Sequence, residues 1–273
     1  MNLNIQKSIL LLARRLTYNP IIYKIYEKTL WNQIRNKEKP EHIGVILDGN
    51  RRWASKHLLP PWIGHHHGAD KVEDFLEWCF NLGVKTVTLY IFSTENFQRS
   101  GKEVGEIIGL IKDKVEKMNS PAGQVFHERK VRIKAIGRVH LLPNKLQKML
   151  KEIEEATKSY DCFYLNLAIA YGGRAEIIDA TRKIVKEVEK GKLDPDQINE
   201  ETFEKYLYTA HLPKSDPDLI IRTSGEERLS GFFLWQGAYS ELYFLDVFWP
   251  DFRRIDLWRS IRTYQSRMRR RGK

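Results

Sequence analysis

The stretch from His42 to Trp53, HIGVILDGNRRW, holds the residues whose types and order point most directly to chemistry. An apolar run of β type leads into one carboxylate, Asp48, and then at once into Gly49, Asn50, Arg51 and Arg52. In an open α/β sheet, ligands bind where the strands end. A glycine at that point lets the backbone approach a ligand closely, and an amide and two guanidiniums offer donors to a group carrying negative charge. A carboxylate beside two guanidiniums makes sense where a divalent cation meets a phosphate ester, with Asp48 holding the cation and the arginines the anion. The competing reading is a solvated turn carrying surface charge.

The pattern recurs along the chain. TVTLYIF ends at Phe92 and delivers Ser93, Thr94, Glu95, Asn96, Phe97, Gln98 and Arg99; the run at 164–170 delivers Tyr171, Gly172, Gly173 and Arg174. A third run, LII, delivers Arg222, Thr223, Ser224, Gly225, Glu226, Glu227, Arg228 and Ser230. Loops leaving the C-terminal ends of parallel strands open on one edge, so these groups are expected to converge with Asp48. The resulting site would hold Arg51, Arg52, Arg99, Arg222 and Arg228 with few carboxylates, a concentration of charge that two diphosphates would neutralise. A hydrogen bond to a charged partner contributes about 1.5–3 kcal/mol net, so such a cluster can anchor a substrate by its head group. Neither GxxxxGK[ST] nor GxGxxG after a strand is present, which excludes a P-loop and a dinucleotide fold. No Asp-Asp-x-x-Asp helix occurs either. The triple histidine His65-His66-His67 lacks the i, i+3 or i+4 spacing of helical metal ligands, so no transition-metal site is expected there. His65, directly after Gly64, is placed to hydrogen-bond a phosphate.

The elements that must position these groups are legible from hydropathy. Apolar, β-rich runs at 43–47, 86–92, 131–136, 163–170, 219–221 and 242–248 alternate with helical patterns at 68–82, 103–118, 143–158 and 174–190. That alternation predicts an α/β fold whose central sheet is mostly parallel and flanked by helices. Residues 191–217 read as a connection with one short helix. Residues 1–40 differ: Leu10, Leu11, Ile21, Ile22, Ile25, Leu30 and Trp31 are interleaved with Arg and Lys and broken at Asn19-Pro20. They read as an extension of two basic amphipathic helices, either lying on a membrane surface or packed against the protein. The expected organisation is this extension followed by a single catalytic domain over 41–273.

Lys and Arg number 46 against 35 Asp and Glu, a formal net charge of +11. Such a balance suits nucleic acid, an anionic membrane or phosphorylated substrates. The arginines fall singly at strand ends rather than in a stripe, so no nucleic-acid partner is expected; only 267–273 is a dense basic run. Cys79 and Cys162 stand in unrelated contexts, which excludes a thiolate zinc site and points to a reducing cytoplasm and to core or near-core thiols. No stretch reaches the ~20 apolar residues of a membrane span.

HIGVILDGNRRWA, GHHHGAD, TLYIFSTENFQR, LNLAIAYGGRAEI and DLIIRTSGEERLSGFFLWQGAYSELYFLDVFWPDF closely resemble the cis-prenyltransferases, the undecaprenyl and dehydrodolichyl diphosphate synthase family. The resemblance covers about residues 41–265 and is nearest the archaeal-type branch. It implies a homodimeric α/β fold with six strands and a hydrophobic tunnel, and Mg²⁺-dependent condensation of isopentenyl diphosphate with an allylic prenyl diphosphate of the farnesyl or geranylgeranyl class. The product would be a cis-polyprenyl diphosphate that serves as precursor of a glycosyl carrier lipid, made in the cytoplasm or at the membrane surface. By motif position, Asp48 and Asn96 look catalytic, Asn96 at a proton-relay position. Gly49, Asn50, Arg51, Arg52, Trp53, His65, Ser93, Thr94, Glu95, Phe97 and Arg99 would bind the allylic substrate. Arg222, Arg228, Leu229 and Ser230 would bind isopentenyl diphosphate, and Asp48 and Glu241 the metal. The tail Arg270-Arg271-Gly272 resembles an Arg-x-Gly element that reaches across the dimer. Three departures stand out: Pro61 replaces a common Arg, Ile91 a common Ala, and Gly231 a frequent Asn. Pro61 and Ile91 raise the alternative of a short-chain or irregular (non-head-to-tail) prenyltransferase on the same fold. A catalytically silent partner subunit and a basic binding module are the competing classes.

Overall fold

The six apolar runs form one sheet, and every pairing in it is parallel. It is seen in a computed structural model of the protein, which describes residues 20–268. The strands are β1 (His42–Ile46), β2 (Thr86–Ser93), β3 (Val131–Ile136), β4 (Phe163–Tyr171), β5 (Leu219–Arg222) and β6 (Glu241–Phe244), in the spatial order β3-β4-β2-β1-β5-β6. Every residue of β1 and β5 is buried, as expected of strands covered on both faces.

Topology decides where a ligand can sit. From β1 the chain crosses to β2 on one side, whereas from β5 it continues to β6 on the other. The loops leaving β1 and β5 therefore diverge and open a crevice between adjacent strands, the switch point at which open α/β sheets bind ligands. Asp48 follows β1, and Arg222 ends β5.

Helices α2 (Asn50–Lys56), α3 (Pro61–Leu82), α4 (Gly101–Met118), α5 (Gln124–Glu128), α6 (Asn144–Thr157), α7 (Gly173–Glu189) and α8 (Glu200–Glu204) fill the connections. Local signals mark their ends. Pro61 opens α3, where its missing N–H costs nothing, and Gly83 closes it at φ 81°. At the sheet edge, α6 satisfies β3: Thr157 Oγ1 accepts from Ile133 N at 3.1 Å, and Glu154 Oε1 from Ala135 N at 2.8 Å. That edge is thereby closed to pairing with another chain. Near the site, the β2–β4 register shifts around Ile91, an irregularity of the kind that re-aims a side chain.

The described residues group into two compact units, Pro40–Phe252 and, separately, the residues up to Lys39 with those from Arg253 on. In the smaller unit α1 (Pro20–Ile34) packs on α9 (Arg254–Met268). Trp31 and Trp258 lie 5.3 Å apart, and Gln265 Nε2 donates to Ile34 O and Glu38 O at 3.1 and 2.8 Å. This packing groups the last helix with α1. Leu30 and Ile34 of α1 are buried, whereas Ile21, Ile22 and Ile25 are exposed. The other amphipathic helix expected before Asn19 and the Arg270-Arg271-Gly272 tail lie outside the described residues. No described helix is long and apolar enough to cross a membrane.

His42, fully buried in β1, shares a hydrogen bond with Thr88 at 2.9 Å through Nε2. Burial lowers its pKa from 6.5 to about 4. The unfolded chain takes up this proton near pH 6.5 and the folded chain only near 4, so the stability involved is present above 6.5 and lost as pH falls. The loss is about 3 kcal/mol between those limits. Urea midpoints measured from pH 7 to 4 are expected to fall, and to fall less in His42→Gln.

Candidate active site

The backbone of Asp48 is fixed before its side chain is. Thr223 Oγ1 accepts from Asp48 N at 3.1 Å and donates to Asp48 O at 2.7 Å, so one buried hydroxyl clasps this peptide across the crevice. The carboxylate then meets three donors. Arg222 Nη2 lies 2.7 Å from Oδ2, Gly49 N donates to Oδ1 at 2.6 Å, and Arg52 Nη2 stands 3.7 Å away. Burial by itself would raise the Asp48 pKa. The hydrogen bond and charge of Arg222, with Gly49 N–H and Arg52, together outweigh it and hold the carboxyl below its ordinary range. Gly49 takes φ 101°, and a Cβ there would come within 2.9 Å of Ser224 Cβ.

Arg222 is only 4% exposed, so its charge needs partners. Besides Asp48, it donates through Nη1 to Ser230 Oγ at 2.8 Å and to the carbonyl of Arg228. Ser224, Ser230 and Phe233 in this segment all have positive φ, an arrangement that surrounding contacts must impose. Ser224 N donates to Val247 O at 2.8 Å, Gly225 N to Leu245 O at 2.7 Å, and Tyr90 OH to Ser230 O at 3.2 Å. Tyr90 also stacks on Phe232 at 4.8 Å.

A second group faces this one. Arg51 comes from α2, His65 from α3, and Ser93, Asn96 and Arg99 follow β2. Ser93 and Asn96 cap each other: Asn96 N donates to Ser93 Oγ and Ser93 N to Asn96 Oδ1. Burial, with the charge of Arg99, pushes the His65 pKa down to about 4. Carboxylates are more prominent than the sequence suggested. Asp48 bridges Arg222 and Arg52, Glu226 bridges Arg52 and Arg228 at 3.0 and 2.5 Å, and Glu103 bridges Arg99 and Arg51 at 2.8 and 3.7 Å. Five guanidiniums against three carboxylates leave a surplus of two positive charges.

These groups stand at one end of a cavity of about 1300 Å³. Asp48 through Arg52, His65, Ser93, Asn96, Arg99, Arg222, Arg228 and Ser230 all line it, and its remaining wall is largely apolar, including Leu76, Leu89, Ile91, Ile107, Ile111 and Leu167. Trp53, Thr94, Glu95, Phe97, Leu229 and Glu241 do not line it. The Trp53 indole donates to Asp251 at 2.8 Å, Phe97 packs edge-on against Phe92 at 4.9 Å, and Leu229 packs against the core under Phe232. Glu241 opens β6 in register with Leu219, three residues before the level of Arg222. That places its Cα about 10 Å along the strands from the level of Arg222.

Thr223 converges with Asp48 as expected of its strand end, whereas Glu103 and the pair Gly64 and Gly68 have no counterpart among the sequence expectations. A Cβ on Gly64 would lie 2.0 Å from Asn50 O, and one on Gly68 2.2 Å from Asn50 Oδ1. Their four-residue spacing, which brackets the histidines, lets α3 meet the start of α2 at van der Waals distance. No group of three or more His, Cys, Asp or Glu among the described residues could hold a metal. The oxygen donors that line the cavity do suit Mg²⁺, which is commonly held by one or two carboxylates together with substrate phosphates. Asp48 is such a carboxylate, and the buried Asn50 Oδ1 has no hydrogen-bond partner.

A sequence profile of the family described as "Putative undecaprenyl diphosphate synthase" matches residues 46–272. The chain belongs to this family. It is a prenyltransferase, an enzyme that transfers prenyl groups. A tritrans,polycis-undecaprenyl-diphosphate synthase (geranylgeranyl-diphosphate specific) of Methanopyrus kandleri is 52% identical over 96% of this chain and 94% of its own. One of the same description from Methanocaldococcus jannaschii is 47% identical over 99% and 96%. Among solved structures, lavandulyl diphosphate synthase from Lavandula x intermedia, in complex with dimethylallyl diphosphate, superposes with a TM-score of 0.77 at 35% identity, covering 83% of this chain and 95% of that one. A probable undecaprenyl diphosphate synthase from Campylobacter jejuni gives 0.68 at 32%, covering 86% and 100%. The expected family and fold hold.

Thr223→Val removes both hydrogen bonds to the Asp48 peptide. Chemical denaturation is expected to show a loss of about 1–3 kcal/mol, with the secondary structure seen by circular dichroism unchanged.

Proposed function

We propose that this prenyltransferase condenses isopentenyl diphosphate with geranylgeranyl diphosphate and repeats the addition to give a long cis-polyprenyl diphosphate, precursor of a glycosyl carrier lipid. The observation that carries the reading is the charged mouth built on Asp48 and Arg222 at the end of a 1300 Å³ cavity with a largely apolar wall. The specificity named for the archaeal relatives supports the choice of primer.

Arg51, His65 and Arg99, with Arg52, Asn50 and the Gly49 backbone, bind the allylic diphosphate. Arg222, Arg228 and Ser230 bind isopentenyl diphosphate. When bound, Mg²⁺ held by Asp48 would supply neutralising charge to the departing diphosphate. The guanidiniums stabilise the same developing charge from fixed positions, without reorganisation. The Asn96 amide oxygen is engaged by Ser93 N–H, so the side chain offers its NH₂ to substrate and orients it instead of relaying a proton. His65, with its pKa near 4, is a weak base. The proton released on condensation passes instead to a diphosphate oxygen.

Each added five-carbon unit gains about 4 kcal/mol from burial, at about 0.8 kcal/mol per carbon, which draws the chain into the cavity. The cavity volume favours a long product although Ile91 lies on its wall. The unit Pro40–Phe252 carries the catalysis in this reading. The protein works as a cytoplasmic homodimer at the membrane surface, with exposed Ile21, Ile22 and Ile25 contacting lipid.

Mass analysis of products from Mg²⁺, isopentenyl diphosphate and a mixture of C5, C10, C15 and C20 allylic diphosphates tests the proposal. A ladder of five-carbon steps built on the C20 primer is expected. No extractable product would overturn the reading, and a single non-head-to-tail product would replace it with the irregular alternative. Asp48→Asn should lower kcat by about a hundredfold or more, the scale for losing one preorganised electrostatic group. Liposome co-sedimentation should weaken in Ile21→Ser/Ile25→Ser.

A further inference from the structure

Arg51, His65 and Arg99 line the large cavity and share a neighbour that does not reach it. Glu103 Oε1 accepts a 2.8 Å hydrogen bond from Arg99 Nη1 and lies 3.7 Å from Arg51 Nε and 3.8 Å from His65 Nε2. Glu103 lines instead a smaller space of about 120 Å³, together with Trp62, His66 and Lys102. Lys102 covers Trp62 at 4.8 Å from the ring centre, closing that side.

An ordinary explanation for Glu103 is available in the sequence. Ser100-Gly101-Lys102-Glu103 has the spacing of a capping box at the start of α4. Only half of the box forms: Ser100 Oγ accepts from Glu103 N at 3.3 Å, but the Glu103 carboxylate turns to the guanidiniums instead of returning to the Ser100 N–H. Seven residues earlier, Ser93 and Asn96 close both halves of the same motif. The Glu103 side chain is therefore committed to Arg99 and Arg51 at the expense of its own helix end.

That placement has a chemical use. Two guanidiniums converging on one ligand repel each other when the ligand is absent, and each is a long side chain with many rotamers. A carboxylate behind them removes part of the repulsion and narrows the rotamers to those facing the cavity, the pre-organisation that a binding site requires. Lying outside the cavity, it need not move when a diphosphate arrives. We propose that Glu103 is a positioning residue of the allylic diphosphate site and holds Arg51 and Arg99 toward the ligand from behind. The inference rests on the reading above that these two groups contact the allylic diphosphate.

Steady-state kinetics of Glu103→Gln, Glu103→Asp and Ser100→Ala test it, varying each substrate with the other saturating. Glu103→Gln is expected to raise KM for the allylic diphosphate about tenfold or more, the scale of one charge-assisted hydrogen bond, while KM for isopentenyl diphosphate stays within about twofold. Glu103→Asp should recover part of the loss. Ser100→Ala should lower the Tm and leave the allylic KM unchanged. The proposal is overturned if Glu103→Gln behaves like Ser100→Ala, if both KM values rise together, or if the allylic KM falls, which would make Glu103 a competitor of the ligand. Failure of the unaltered chain to turn over any allylic diphosphate would instead remove the functional reading on which the inference stands.

Discussion

Asp48 and Arg222 stand 174 residues apart in sequence and 2.7 Å apart in space, and the site is organised around their contact. Neither charge could be placed where it is without the other. A guanidinium that is 4% exposed requires a carboxylate, and a carboxylate at the end of a buried strand requires donors to stay ionised. Their meeting follows from sheet order, because β1 and β5 are neighbours whose loops diverge. Thr223 then fixes the Asp48 peptide, and Ser230 and the Arg228 carbonyl fix the other side of the guanidinium. One ion pair thus joins the two halves of the cavity mouth.

The charge pattern around that pair is a lattice of alternating signs. Each of the three carboxylates spans two guanidiniums, so the protein can assemble five arginines before any substrate is present. The surplus of two positive charges is left for ligands. Building the site this way keeps the free protein folded while the partly exposed Arg51, Arg52 and Arg228 stay open to phosphate oxygens and Arg222 stays in its buried pair.

Much of this was legible in the sequence. The six strands announced themselves because all are apolar or β-rich, and four of the long helices by their periodicity. The convergence of Asp48 with Arg222 was inferable because parallel strands send their C-terminal loops to one edge. Helix α9 was not read, because its pattern mixes Arg with aromatic residues and its apolar side is matched to α1, a partner that hydropathy cannot reveal. The convergence of Thr223 was legible but not its clasp on the Asp48 peptide, and Glu103 was not legible because a capping role explains it locally. Trp53, Phe97 and Glu241 belong to the site by motif position, yet they do not line the cavity. Proximity in a motif does not determine which way a residue points.

Helix α3 carries His65 near its start and Leu76 and Phe80 toward its end, and all three border the same cavity. Its first turns are seated on Asn50 through Gly64 and Gly68, with no side chain between to act as a cushion. A lean of this helix that widened the hydrocarbon channel would lift the imidazole from the diphosphate end. Room for a longer isoprenoid must therefore come from trimming side chains along a fixed rod, and evolution can retune product size one residue at a time while the phosphate chemistry stays in place.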